Sequence, residues 1–196
     1  MKTDKNYTMK LKRKLKQKTD YKQRLKLIAS HKPRFVVRRM INNISVQLVE
    51  FHDNGDKTIV SSNSRELVKL GWKAHRGSLP TAYLIGMIAA LKAKKKGIKM
   101  AILDIGLTKA VKGSSNFAAV KGAIDAGLEI PCDESVLPPK DAYEGRIIEN
   151  YAKLLLKEDK ARYDKQFSRY IKQGIKAEEL SKYFEEVRKK ILTKWQ

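Results

Sequence analysis

Asp104 stands in the apolar run Ala101-Ile102-Leu103-Asp104-Ile105 and is followed by Gly106. A carboxylate on a buried strand beside a loop can join others to hold two metal ions for phosphodiester hydrolysis. Glu50, Glu66 and Asp125 are the acids such a set would draw on. The competing reading is that Asp104 accepts N–H bonds from the Gly106 loop, because a buried carboxylate needs partners. A chain this basic, with so few acids in its apolar segments, favours the second reading. His31, His52 and His75 have neither HxxxH nor HxH spacing, and Cys132 is the sole cysteine. No metal site, zinc knuckle or internal disulfide is therefore expected. No GxGxxG follows a strand, and neither GxxxxGK[ST] nor GxSxG occurs, so no cofactor and no catalytic residue are expected.

Two loops carry a different chemistry. Gly106 to Asn116 holds Lys109 and Lys112, the hydroxyls of Thr108, Ser114 and Ser115, and two glycines, and it leads into a helix. Free N–H groups and the positive end of the helix dipole at that point suit a phosphate. Gly71 to Ser78 holds Trp72, Lys73, His75 and Arg76, residue types that stack on bases and grip phosphates.

The charge balance turns these loops toward a polyanion. Lys and Arg number 43 against 21 Asp and Glu, a formal net charge of +22. Residues 1–39 alone carry 15 basic and 2 acidic side chains, whereas residues 40–150 are near balance. A block of like charge does not fold alone and acts as an interaction arm. Tyr7, Tyr21 and Phe35 interleave with that charge. The N-terminal stretch has no apolar segment behind it, so no secretory signal is expected. The longest uncharged apolar run, Ala82 to Leu91, is ten residues, too short for a membrane span. Nucleic acid is favoured over a membrane surface, since a membrane-lying helix needs a broader apolar face.

The elements that must position these residues follow from hydrophobic period. Asp20 caps a short helix whose apolar side is Tyr21, Leu25 and Ile28 and whose polar side offers Lys22, Arg24 and Lys26. Phe35–Val37, Ser45–Phe51 and Thr58–Ser61 read as strands of a meander, turned at Asn42-Asn43 and at Asp53-Asn54-Gly55-Asp56. Asn63-Ser64-Arg65-Glu66 resembles a capping box, and Gly71 stops the short helix it opens. Pro80 opens a longer helix over 81–96, closed by Gly97. A strand at 101–105, a helix at 116–126 with a small-residue face, and an edge strand at 128–130 complete a β-β-β-α-β-α-β order. After Pro138-Pro139, helices are expected over 142–156, 160–172 and 177–194. The last carries a stripe of Leu180, Phe184, Val187 and Ile191 that must be covered by the domain or by a partner.

Asp20-Tyr21 with Arg24-Leu25, Lys32-Pro33-Arg34, Ser64-Arg65-Glu66-Leu67 and Gly71-Trp72-Lys73 recur as a set. With Leu103-Asp104-Ile105-Gly106-Leu107, Lys112-Gly113-Ser114, Phe117-Ala118-Ala119 and Gly127-Leu128-Glu129-Ile130-Pro131 they resemble one family over about residues 19–150. It is the family of the large-subunit ribosomal protein numbered eighteen in bacteria and five in eukaryotes, here in its archaeal form. Met40-Ile41 depart from the Ser-Asn of many relatives. The resemblance implies a non-catalytic ribonuclease H-like α/β/α fold and binding to 5S ribosomal RNA, docked next to large-subunit (23S-type) rRNA and neighbouring ribosomal proteins. It implies RNA contacts at Tyr21, Arg24, Lys26, Lys32, Arg34, Arg38, Arg39, Asn42, Asn43, Lys109, Lys112 and Ser114.

The expected architecture is a basic arm (1–32), an α/β RNA-binding domain (33–137) with a three-layer mixed sheet, and a C-terminal helical extension (138–196). The expected protein is a cytoplasmic, ribosome-bound structural component without cofactor, membrane contact or self-association. Tyr21 and Trp72 are the candidates for base stacking. The rivals are a metal-dependent ribonuclease H-like nuclease and a non-ribosomal RNA chaperone.

Overall fold

The computed structural model describes residues 8–195; Tyr7 and the start of the arm lie outside the described residues. Helix α1 (Lys12–Leu15) and helix α2 (Tyr21–Ile28) precede the sheet. Strands β1 (Arg34–Arg39), β2 (Ile44–Glu50) and β3 (Lys57–Asn63) form the meander. Helices α3 (Arg65–Val68) and α4 (Leu79–Lys95), strand β4 (Ile102–Asp104) and helix α5 (Ser115–Asp125) follow. The chain ends in helices α6 (Lys140–Tyr143), α7 (Arg146–Glu158), α8 (Lys160–Gln166), α9 (Ser168–Lys172) and α10 (Leu180–Trp195).

The four strands lie in the order β3-β2-β1-β4. β1 pairs antiparallel with β2, from Arg34 opposite Val49 to Arg39 opposite Ile44, and parallel with β4, Val36 opposite Asp104. Both expected turns form. The Met40 N–H donates to the Asn43 carbonyl at 2.8 Å, and Gly55 takes a positive φ of 128° that an L side chain rarely adopts. The capping box also forms: the Asn63 carboxamide accepts from the Arg65 N–H at 3.0 Å, and Glu66 accepts from the Asn63 N–H at 3.1 Å. Residues 128–130 do not make a strand. Met100 and Glu129 share one isolated parallel bridge, because Gly127 and Pro131 leave three residues between them and Pro131 has no N–H to extend a ladder.

Alternation along the strands sends Phe35, Val37, Val46, Leu48 and Val60 into the main core under α4 and α5. α4 is buried around almost its whole circumference. It lies so close to α5 that a Cβ on Gly86 would run into the Ala119 carbonyl, and one on Gly122 into the Tyr83 carbonyl. The small-residue face expected over 116–126 thus serves close helix–helix approach. The stripe on α10 is covered by the protein itself: Leu180, Phe184, Val187 and Ile191 join the main core. A second cluster, Ala152, Leu155, Tyr163, Phe167 and Ala177, ties α7 to α8 and the turn before α10. The expected helices over 142–156 and 160–172 are each broken, at Gly145 with φ 87° and at Phe167.

The opposite face of the sheet is overlaid by the arm. Asp20 caps α2, accepting from the Lys22 and Gln23 N–H groups at 2.9 and 3.2 Å. The helix is rolled relative to the sequence expectation. Leu25 is 69% exposed, while Gln23, Arg24 and Leu27 line the cleft beside Arg34, Val36 and Arg38. Arg24 reaches Asp56 at 2.9 Å and Leu27 enters the same cleft, so these side chains, not Leu25, are turned toward the sheet. Among the described residues, no helix is long and apolar enough to cross a membrane.

Candidate nucleic-acid interface

The outer face of β1 carries a chain of alternating charges. Arg24 and Arg34 both contact Asp56, at 2.9 and 2.7 Å. Arg34 continues to Asp104 at 3.2 Å, and Arg38 binds the other Asp104 oxygen at 2.9 Å. Arg38 also donates to the Asp104 and Val37 carbonyls at 2.8 and 2.9 Å. The Gly106 N–H donates to Asp104 at 2.8 Å, which is the loop partner expected for this carboxylate. Gly106 has φ 65°, and a Cβ there would lie 3.0 Å from the carbon of the Arg38 guanidinium.

Asp104 therefore binds two arginines, one of which, Arg34, bridges it to Asp56. Glu66 pairs with Lys92 at 2.7 Å, Glu50 lies beside His52, and Asp125 binds Tyr83 and Lys121. Those contacts hold the Tyr83 hydroxyl, through burial and the Asp125 bond, above its ordinary pKa, and the Asp125 bond raises Lys121. Among the described residues, no three His, Cys, Asp or Glu side chains gather as a metal ion would require.

The charge chain divides the expected contact residues. Arg34 has a side chain 6% exposed and both ends bound to carboxylates, so it cannot offer its guanidinium to a phosphate. That expectation is corrected: Arg34 organises the face from beneath. Arg38 keeps 42% of its side chain exposed and Arg24 33%. Arg13 and Lys18 of the arm, and Ile105 to Thr108 after β4, line the same cleft of about 570 Å³. Lys26 and Lys32 are exposed and Tyr21 is half-buried. Lys109 and Lys112 project into solvent beyond Thr108. Ser114 caps α5 without a side-chain cap bond, and its Oγ has no partner.

A second correction concerns Trp72. Its ring is 1% exposed and its Nε1 donates to Thr81 at 2.9 Å, so it belongs to the core and is closed to a base. The same loop leaves Lys73 exposed and His75 and Arg76 half-buried. Burial, then the nearby Arg169, Arg39 and Arg76, push the His75 pKa below its ordinary value. At the β1–β2 hairpin, Arg39 and Asn42 are exposed, and Asn43 is partly occupied by the Ser64 hydroxyl at 3.4 Å.

Sequence reasoning missed the contribution of the C-terminal helices. Arg169 donates to the Asn42 carboxamide at 3.4 Å, and the Tyr170 hydroxyl sits 3.5 Å from the His75 backbone N–H. The available signal was the spacing of Tyr163, Phe167 and Tyr170, which defines a buried face and so places Arg169 and Lys172 at its margin.

A family model described as "Ribosomal large subunit proteins 60S L5, and 50S L18" matches this chain over residues 5–99 and 91–133. The protein named large ribosomal subunit protein uL18 from Methanococcus maripaludis is 46% identical over 175 residues, covering 89% of this chain and 90% of that one.

Proposed function

The chain belongs to the family of large-ribosomal-subunit proteins that its sequence matches, and from that membership we propose that it binds 5S rRNA and anchors it to the 23S-type rRNA, with other ribosomal proteins as neighbours. It is a structural protein of the large ribosomal subunit. The observation that best supports the finer reading is the convergence of the arm and the loop after β4 on one cleft beside β1. Arg13, Lys18, Arg24 and Arg38 line it, and Lys109 and Lys112 extend the loop outward.

Arm and loop lysines neutralise phosphates and release counterions, which supplies affinity without reading sequence. Shape, and stacking of unpaired bases on Tyr21, supply selectivity. Lys26, Lys32, Arg39, Asn42, Lys73, Arg76 and Ser114 are further contact candidates by exposure or by position. Strand order β3-β2-β1-β4 with a parallel fourth strand, α2 on one face and α4 and α5 on the other, supports the three-layer ribonuclease H-like reading. The Asp104 pairings support its being non-catalytic. Residence on the ribosome, in the cytoplasm, follows from the same role. Competition between 5S rRNA and tRNA for the whole chain is the test.

A further inference from the structure

Residues 134–196 lie outside the stretch that the family model matches. Helices α7 and α9, with the turn at Phe167, nevertheless build a defined feature with the globular half. Together with residues 72–78 and Asn42 they enclose a groove of about 1260 Å³. Lys73, His75 and Arg76 stand on one side, Arg169 and Lys172 on the other, and no Asp or Glu lines it. Among the described residues, none of Lys73, Arg76, Arg169 and Lys172 makes an ion pair within 4 Å, nor does the nearby Arg39. Guanidinium groups gathered without a carboxylate repel one another until an anion joins them.

The apolar part of the groove decides which anion. Tyr151 is 43% exposed, and its ring lies 6.5 Å from that of Phe167 at a tilt of 56°. Carboxamides of Asn42, Gln166 and Gln173 line the same space. Exposed aromatic faces, amides that can bond base edges, and forked cations are the set that single-stranded RNA takes. The volume exceeds the few hundred to about 1,000 Å³ of a small-molecule pocket, and so suits several nucleotides.

We propose that this groove is a second RNA site, holding an unpaired strand with its phosphates on Arg76, Arg169 and Lys172 and a base stacked on Tyr151. It requires only an accessible unpaired strand and stands whether or not 5S rRNA occupies the cleft beside β1.

The test is photo-crosslinking of a short oligouridine to the full chain, with the crosslinked peptides mapped by mass spectrometry. A crosslink at Tyr151 or His75 is expected. Tyr151→Ala lowers oligouridine affinity about tenfold, the magnitude of one lost stack. Arg169→Glu with Lys172→Glu abolishes the crosslink, while an unchanged circular dichroism spectrum and melting temperature show that the fold persists. Lys109→Glu with Lys112→Glu retains it, which separates this site from the loop after β4. Crosslinks confined to the arm and that loop would overturn the proposal. So would unchanged affinity in the charge-reversed variant, or displacement of oligouridine by polyglutamate as readily as by unlabelled oligouridine, which would mark an acidic protein as occupant.

Discussion

Arg34 and Asp104, seventy residues apart in sequence, meet at 3.2 Å on the outer face of adjacent parallel strands. Both are nearly buried. The pair fixes how β4 sits on β1, and through Asp56 it reaches the arm helix at Arg24. One carboxylate in a strand thereby positions two arginines and, through Asp56, the arm.

Asp104→Asn keeps the volume and removes the charge that Arg34 and Arg38 share. Arg34 keeps Asp56 and Arg38 stays in contact with solvent, so the loss is smaller than the roughly 3–5 kcal/mol of a fully stranded buried charge. Urea denaturation should show a correspondingly earlier midpoint. A midpoint equal to that of the parent would mean that Asp104 carries no structural load.

Gly86→Ala and Gly122→Ala test the α4–α5 contact. Each added Cβ meets a backbone carbonyl of the facing helix, so relief requires moving a helix rather than rotating a side chain. Overpacking of this kind costs about 1–3 kcal/mol, occasionally more. Gly97→Ala is a useful contrast. Its Cβ would meet nothing within 4 Å, and only its positive φ of 76° opposes the change. Thermal melts should rank both Gly86→Ala and Gly122→Ala below Gly97→Ala.

Tyr21 and Trp72 separate binding from folding. Trp72→Ala empties a core site and should lower stability by about 3–5 kcal/mol. Tyr21→Ala should leave the melting temperature nearly unchanged and weaken RNA binding by about 1–3 kcal/mol. The reverse pattern, a stable Trp72→Ala with impaired binding, would contradict the placement of the indole.

The alkaline limb of stability has a local source at Tyr163. Burial, and its hydroxyl's bond to Glu178 at 2.7 Å, push its pKa up to about 12. The unfolded chain loses that proton near pH 10, so above it the unfolded state binds fewer protons than the folded one. The contribution is full below about pH 10 and is lost as pH rises toward 12. Spectrophotometric titration should show a tyrosine ionising near pH 12 that Tyr163→Phe removes. A Tyr163→Phe variant with the same titration curve and the same alkaline stability would assign the effect elsewhere.

Much of the fold was legible because local signals agreed. Asn-Asn and Asn-Gly turns, the Asn63–Glu66 box and the glycines after α3 and α4 each punctuate an element where period alone already placed one. The short strand expected at 128–130 failed because three apolar residues cannot outvote a glycine before them and a proline after. The misjudged residues share one cause. Arg34 and Trp72 were read by type, as cation and stacking ring, but whether a side chain is free depends on partners far along the chain. Asp56, Asp104 and Thr81 supply those partners, and spacing alone does not show them. The groove with Arg169 and Lys172 was hidden for the same reason, since its two sides come from segments some ninety residues apart.

The central claim is selective recognition of 5S rRNA, and it is tested most directly by binding of the full chain to 5S rRNA against excess tRNA across a salt series. Charge-driven affinity falls for both RNAs as salt rises, by about 0.7–0.9 in log–log slope per neutralised phosphate. The account predicts that the preference for 5S rRNA persists at high salt, and that Arg38→Ala with Lys112→Ala weakens binding and flattens the slope. A preference that vanishes as salt rises, with tRNA bound equally well, would contradict it and would mark the chain as a general RNA binder.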